Sequence, residues 1–104
     1  MKASINQDHG LICPSCNGEN LHQRSAKVYF RDSEDSESGK FVKCSNQKIE
    51  SIPPDGNPSF RRDGLLLSFD CETCDAEPEL AIFQHKGTTY IKWHSMRMVV
   101  EGDI

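Results

Sequence analysis

The chain has 104 residues, enough for one domain with a modest core and too few for two. A formal charge of −4 excludes a general DNA binder held by bulk electrostatics, and no stretch is long and apolar enough to cross a bilayer. Five cysteines, an odd number, argue against a fully paired secreted disulfide framework. The first ten residues are polar and lack the pattern of a secretion signal, so the expectation is a soluble, cytoplasmic protein with no membrane contact.

Residues 1–11 show no periodicity and read as a flexible lead-in to a single domain over 12–100, with 101–104 as a tail. Cys13-Pro14-Ser15-Cys16 then places two thiols on one tight turn. Pro14 stiffens that turn, and Gly18 can supply a positive φ just after it. Leu21 to Phe30 alternates with period two, which predicts a strand with Ala26, Val28 and Phe30 on its apolar side and Ser25, Lys27 and Tyr29 on the other. Residues 31–39 are acidic and serine-rich, with four acids between 32 and 37, and predict a long solvated hairpin loop. Their spacing does not match a calcium-binding EF-hand loop. Lys40 to Cys44 is the returning strand.

Pro53, Pro54, Gly56 and Pro58 predict an irregular connection over 45–60. Asp63-Gly64 is a turn signal, after which Leu65, Leu67, Phe69 and Cys71 share one face of a strand. That strand delivers the second thiol pair, Cys71-Glu72-Thr73-Cys74. Residues 79–85 and 88–94 form a closing hairpin around Lys86-Gly87, with Leu80 and Ile82 sharing a face of the first arm and Ile91 and Trp93 a face of the second. Residues 96–100 extend the last strand, and nothing in the chain predicts a helix.

Two Cys-x-x-Cys pairs facing each other make the tetrahedral four-sulfur cage that a structural zinc ion prefers. The expected ligands are therefore Cys13, Cys16, Cys71 and Cys74, and bound Zn²⁺ with four thiolates takes the net charge to about −6. The separation is long, 54 residues between Cys16 and Cys71, but a strand-forming insertion keeps the two turns adjacent. Iron fits the same four sulfurs, and a redox role for the pairs would need a βαβ context that this pattern lacks. Cys44 has no partner at turn spacing and reads as a small buried apolar residue. His22, six residues after Cys16, is within reach of a hydrogen bond to a sulfur.

A complete four-cysteine set leaves no open coordination position, which disfavours metal hydrolysis. No nucleophile elbow, phosphate loop or zinc-protease motif occurs, so the chain is expected to be no enzyme and to have no small-molecule substrate. A binding surface is the stronger expectation. No acidic residue occurs from Leu80 to Val100, where Lys86, Tyr90 and Lys92 lie together and Arg61-Arg62 approaches from the preceding segment. Cations beside aromatics on a strand face can stack bases and touch phosphates. The competing expectation makes Trp93 and Ile91 core and the lysines a wet face.

Cys13-Pro14-Ser15-Cys16-Asn17-Gly18 and Cys71-Glu72-Thr73-Cys74-Asp75 resemble the zinc-ribbon class. Arg61-Arg62-Asp63-Gly64 and Gln84-His85-Lys86-Gly87-Thr88-Thr89-Tyr90 are similar to small uncharacterised bacterial and phage-associated zinc-ribbon proteins. The resemblance implies a metal-binding turn on each of two hairpins with three or more strands behind. The chain is thus expected to be an all-β, zinc-ribbon-stapled domain of about five antiparallel strands, arranged as a small two-layer sandwich. Its expected role is an adaptor contacting a protein partner, with nucleic-acid binding through the 80–100 face as the alternative.

Overall fold

The computed structural model describes residues 2–98 and contains six strands and, among those residues, no helix. They are β1 (Leu21–Arg31), β2 (Gly39–Ser45), β3 (Lys48–Ser51), β4 (Gly64–Cys71), β5 (Ala76–His85) and β6 (Thr88–Met98). All six join one antiparallel sheet in the order β3-β2-β1-β4-β5-β6. The all-β antiparallel expectation holds, but as one layer rather than two. Val99 and Val100, expected to extend the last strand, and the tail at 101–104 lie outside the described residues.

The strand beyond the expected five is β3, inside the segment read as irregular. Proline begins only at Pro53, and before it Asn46 and Gln47 both adopt positive φ, 46° and 64°. Two consecutive positive-φ residues make the hairpin turn whose twist suits paired strands, and Ser45 pairs with Lys48 across it. Lys86 and Gly87 repeat the device between β5 and β6, with φ of 49° and 80°.

Register explains how the long insertion closes. β1 pairs with β4 so that Leu21 lies opposite Cys71, while the β2–β3 hairpin folds out on the far side of β1. Cross-strand partners share a face, so each row of partners belongs to one side of the sheet. On one face, Tyr29, Leu66 and Ala81 are buried with Phe41, Ile52 and Phe83 packed against them. The 52–62 connection covers this end, and Gly56 sits close enough that an added Cβ would lie 3.1 Å from the Tyr29 hydroxyl. Tyr29 is 3% exposed and Phe30 56%, so the apolar side expected for β1 is reversed at its end. The cause is tertiary: the connection shelters the Tyr29 side and leaves the Phe30 side open.

The other face holds Phe69, Leu80 and Trp93, the pair Phe69–Trp93 meeting edge to face at 6.0 Å. The segment read as a lead-in covers them. Ala3 and Leu11 pack on this cluster, Ile5 bridges to Leu11, and Lys2 bridges to Lys92 along the outer edge of β6. β4 is therefore covered on one face at Leu66 and on the other at Phe69, both of them buried.

Arg31 ties the loops at one end. Its Nε donates to the Arg62 carbonyl at 3.0 Å, Nη1 to Ser36 at 2.7 Å, and Nη2 to Ser59 and Phe60 at 3.2 Å each. Removing the guanidinium orphans several carbonyls at once, so Arg31→Ala is expected to cost about 2 kcal/mol, with Arg31→Lys recovering only part. A denaturant midpoint unchanged by either substitution would show that these bonds merely replace water.

Gly64 is buried where β4 begins, and an added Cβ would meet Asn57 Oδ1 at 2.2 Å and Pro58 at 2.8 Å. Gly64→Ala is expected to destabilise by about 1–3 kcal/mol through overpacking, read as a fall in Tm.

Candidate metal centre

Both thiol pairs lie at one end of the sheet. Cys71 closes β4 and Ala76 opens β5, so Cys71 to Cys74 ride on the hairpin turn between them. The first pair occupies the loop entering β1, held by the Glu72 N–H donating to the Asn20 carbonyl at 3.0 Å.

The two turns are built alike. The N–H of Asn17 donates to the Cys13 carbonyl at 3.0 Å, and that of Asp75 to the Cys71 carbonyl at 3.2 Å. Asn17 and Asp75 take matching positive φ, 60° and 61°. Asn and Asp are the side-chain-bearing residues that best tolerate this left-handed conformation. Gly18 was expected to supply it and does not. Its N–H instead reaches Cys16 Sγ at 3.3 Å, and an added Cβ would sit 3.1 Å from that sulfur. The recurrence of Asn or Asp straight after each second cysteine was visible in the sequence as a turn signal.

All four Sγ atoms lie within 4.8 Å of one another, with Cys13–Cys74 at 3.7 Å and Cys16–Cys71 at 3.6 Å. A disulfide would need about 2.05 Å. Four sulfurs at the zinc–thiolate distance of about 2.3 Å on tetrahedral corners stand roughly 3.8 Å apart. The donor set and the spacing therefore fit a four-coordinate metal ion, held by Cys13, Cys16, Cys71 and Cys74. Cys13 and Cys71 are buried, and Ala76, Leu21 and Met96 pack around them.

The thiols differ in acidity. Burial opposes the Cys71 thiolate, but the backbone N–H groups of Cys74 and Thr73 and the thiols of Cys74 and Cys13 outweigh it and bring it down to about 7. The Gly18 N–H favours the Cys16 thiolate, yet burial and the sulfurs of Cys74, Cys71 and Cys13 push that thiol up to about 12. Burial also raises Cys13. Four sulfurs this close become thiolates together only around a cation, so metal binding releases protons.

Cys44 stands on β2 between Ala26 and Ile49, outside the cluster. His22 faces Glu72 at 3.2 Å rather than a sulfur, in an exposed pair.

The cations of the expected nucleic-acid face do not act as one group. Arg61 pairs with Glu34 and, at 3.0 Å, with Asp35, while Arg62 pairs with Glu34 at 3.1 Å. The acidic loop thus neutralises both arginines, and the Arg61 hydrogen bond holds the Asp35 carboxyl below the usual range. A lowered carboxylate pKa stabilises above the ordinary value and is lost as pH falls through the shifted one. Lys86 sits in the β5–β6 turn. Tyr90 stacks on Phe83 at 5.6 Å, and Lys92 Nζ lies 5.6 Å from the same ring centroid. Trp93 is 3% exposed, as the core expectation requires, whereas Ile91 is 55% exposed.

Sheet and site together define an all-β protein with a four-cysteine metal centre at one end of a single antiparallel sheet. No protein-family model, curated protein or solved structure matches the chain. No helix among the described residues is long and apolar enough to cross a membrane.

Proposed function

We propose that the chain is a non-enzymatic adaptor of zinc-ribbon type, stapled by Zn²⁺ on Cys13, Cys16, Cys71 and Cys74, that docks a protein partner on the open half of its sheet. One observation carries this reading. Along one row of cross-strand partners, Val42, Val28, Leu65, Ile82 and Ile91 form an unbroken apolar line across five strands, the first four half-buried and Ile91 55% exposed. Ile49 at 76% exposure and Phe30 at 56% flank that row. Soluble folds rarely leave so continuous an apolar patch to water without a use for it. A photo-crosslinking residue at position 49 is expected to give a discrete protein adduct in the producing cell, and one at position 90, on the opposite face, none. Adducts from 90 alone would overturn the reading.

A second reading has its own support. The Tyr90–Phe83 stack, Lys92 above it and Phe60 at 90% exposure surround a cleft of about 330 Å³ between the 58–60 loop and β5–β6. Such a group suits a single-stranded nucleic acid. It predicts retention on nucleic acid that weakens with salt and disappears on substituting Lys86 and Lys92.

A further inference from the structure

We propose that the partner on the open face is a second copy of this chain, packed sheet on sheet about a two-fold axis, so that two single-layer monomers complete one β-sandwich. This rests on the docking reading above and names its partner.

A sheet with an apolar face needs a second layer. The described residues supply cover in two places. The 52–62 connection shelters the Tyr29 side, and residues 2–11 shelter Trp93 and Phe69 on the other. Among the described residues, nothing covers the second face from there to the end away from the cysteines.

The uncovered area suits a weak self-association. The Val42–Ile91 row crosses five strands at about 4.8 Å spacing, and shorter rows at Phe30–Lys40 and at Ile49–Cys44–Ala26 flank it. That is roughly 350 Å² in flat projection, and side-chain relief brings two copies to roughly 800–1,000 Å² in total, in the range of weak, transient association.

Charge also favours a self-pairing. The chain carries −4, so two copies repel except where charge is lacking. The row from Val42 to Ile91 and its neighbours Ile49, Cys44 and Ala26 bear no charge, and Lys40 opposite Phe30 lies only at the rim. Leu65 is the middle of that five-residue row, so a two-fold axis lying between the sheets over Leu65, along the strand direction, lays the row of one copy on that of the other. Such an isologous contact is self-complementary, and two twisted sheets stack at about 10 Å with strands about 30° apart. A limited area gives a weak dimer, with a dissociation constant in the micromolar range.

The test is sedimentation equilibrium of the full, metal-loaded chain from about 1 to 500 µM, an interval that brackets the micromolar constant expected for so small an interface. Ile49→Lys and Phe30→Lys are run separately, since both side chains are more than half exposed and lysine is tolerated there by a monomer. Tyr90→Lys, on the opposite face, is the control. The expected result is a two-copy species whose dissociation constant rises at least tenfold in both face variants, with metal content and circular dichroism unchanged, and stays the same in the control. A dimer weakened only by Tyr90→Lys, or by none of the three, overturns the proposal. So does a wild-type chain that stays monomeric throughout. In that last case, binding of a hydrophobic dye by the monomer, lost in Ile49→Lys, leaves the docking reading standing for a different partner. Absence of dye binding removes both.

Discussion

Cys71→Ser is expected to abolish metal retention and, with it, cooperative folding of the whole sheet. Cys71 joins three functions: it ends β4, opens the hairpin turn and supplies the thiol that ionises most readily, at about 7. Structural zinc contributes roughly 10–16 kcal/mol to small zinc-finger peptides, which matches or exceeds the whole stability of a domain this size, about 5–15 kcal/mol. The cysteine cluster has few other supports, with only Cys13, Cys71 and Ala76 buried there. Elemental analysis should give one zinc per wild-type chain and none for the variant, and a strong chelator should erase the near-ultraviolet circular dichroism of the wild type. Cys44→Ser should change neither. Acid should act as the chelator does, because protons compete with the metal for all four sulfurs, so metal content and the near-ultraviolet signal should fall together as the pH is lowered. A chelated protein that keeps its Tm would show that the sheet holds itself together.

Trp93→Ala is expected to cost about 3–5 kcal/mol, the range for emptying a large aromatic from a core. Trp93 is 3% exposed, packs edge to face on Phe69, and anchors the Ala3 and Leu11 cover. Tyr90→Ala, three residues away and 45% exposed, should cost only about 0.5–1.5 kcal/mol for the lost Phe83 stack. Urea titrations of the two metal-loaded variants separate a core tryptophan from a surface one. Equal costs would show that Trp93 is not a core residue.

Parts of this fold were legible because their signals are local. Period-two alternation marked β1 and β4, the acidic loop implied β2 as its returning strand, and Lys86-Gly87 marked the last turn. The hairpin at Asn46-Gln47 is hidden in the sequence because Pro53, Pro54, Gly56 and Pro58 dominate the window, although they all lie after β3. Asn17 and Asp75 were legible as a pair only once both turns were compared. Which side of β1 is core was not legible at all, because Val28 and Tyr29 are both apolar enough to bury. The position of the 52–62 connection decided between them.

The sequence by itself determined the strand-rich class and the four cysteines that cluster as a candidate metal site, since spacing of two residues between thiols is enough to put each pair on one turn. Only the tertiary structure decided how the pairs meet, through the β1–β4 register that sets Leu21 against Cys71. It alone decided that Arg61 and Arg62 are spent on Glu34 and Asp35, and that no described residue covers one half of a sheet face. Ion pairing and burial depend on segments far apart in the chain, and alternation along one strand carries no record of what packs against it.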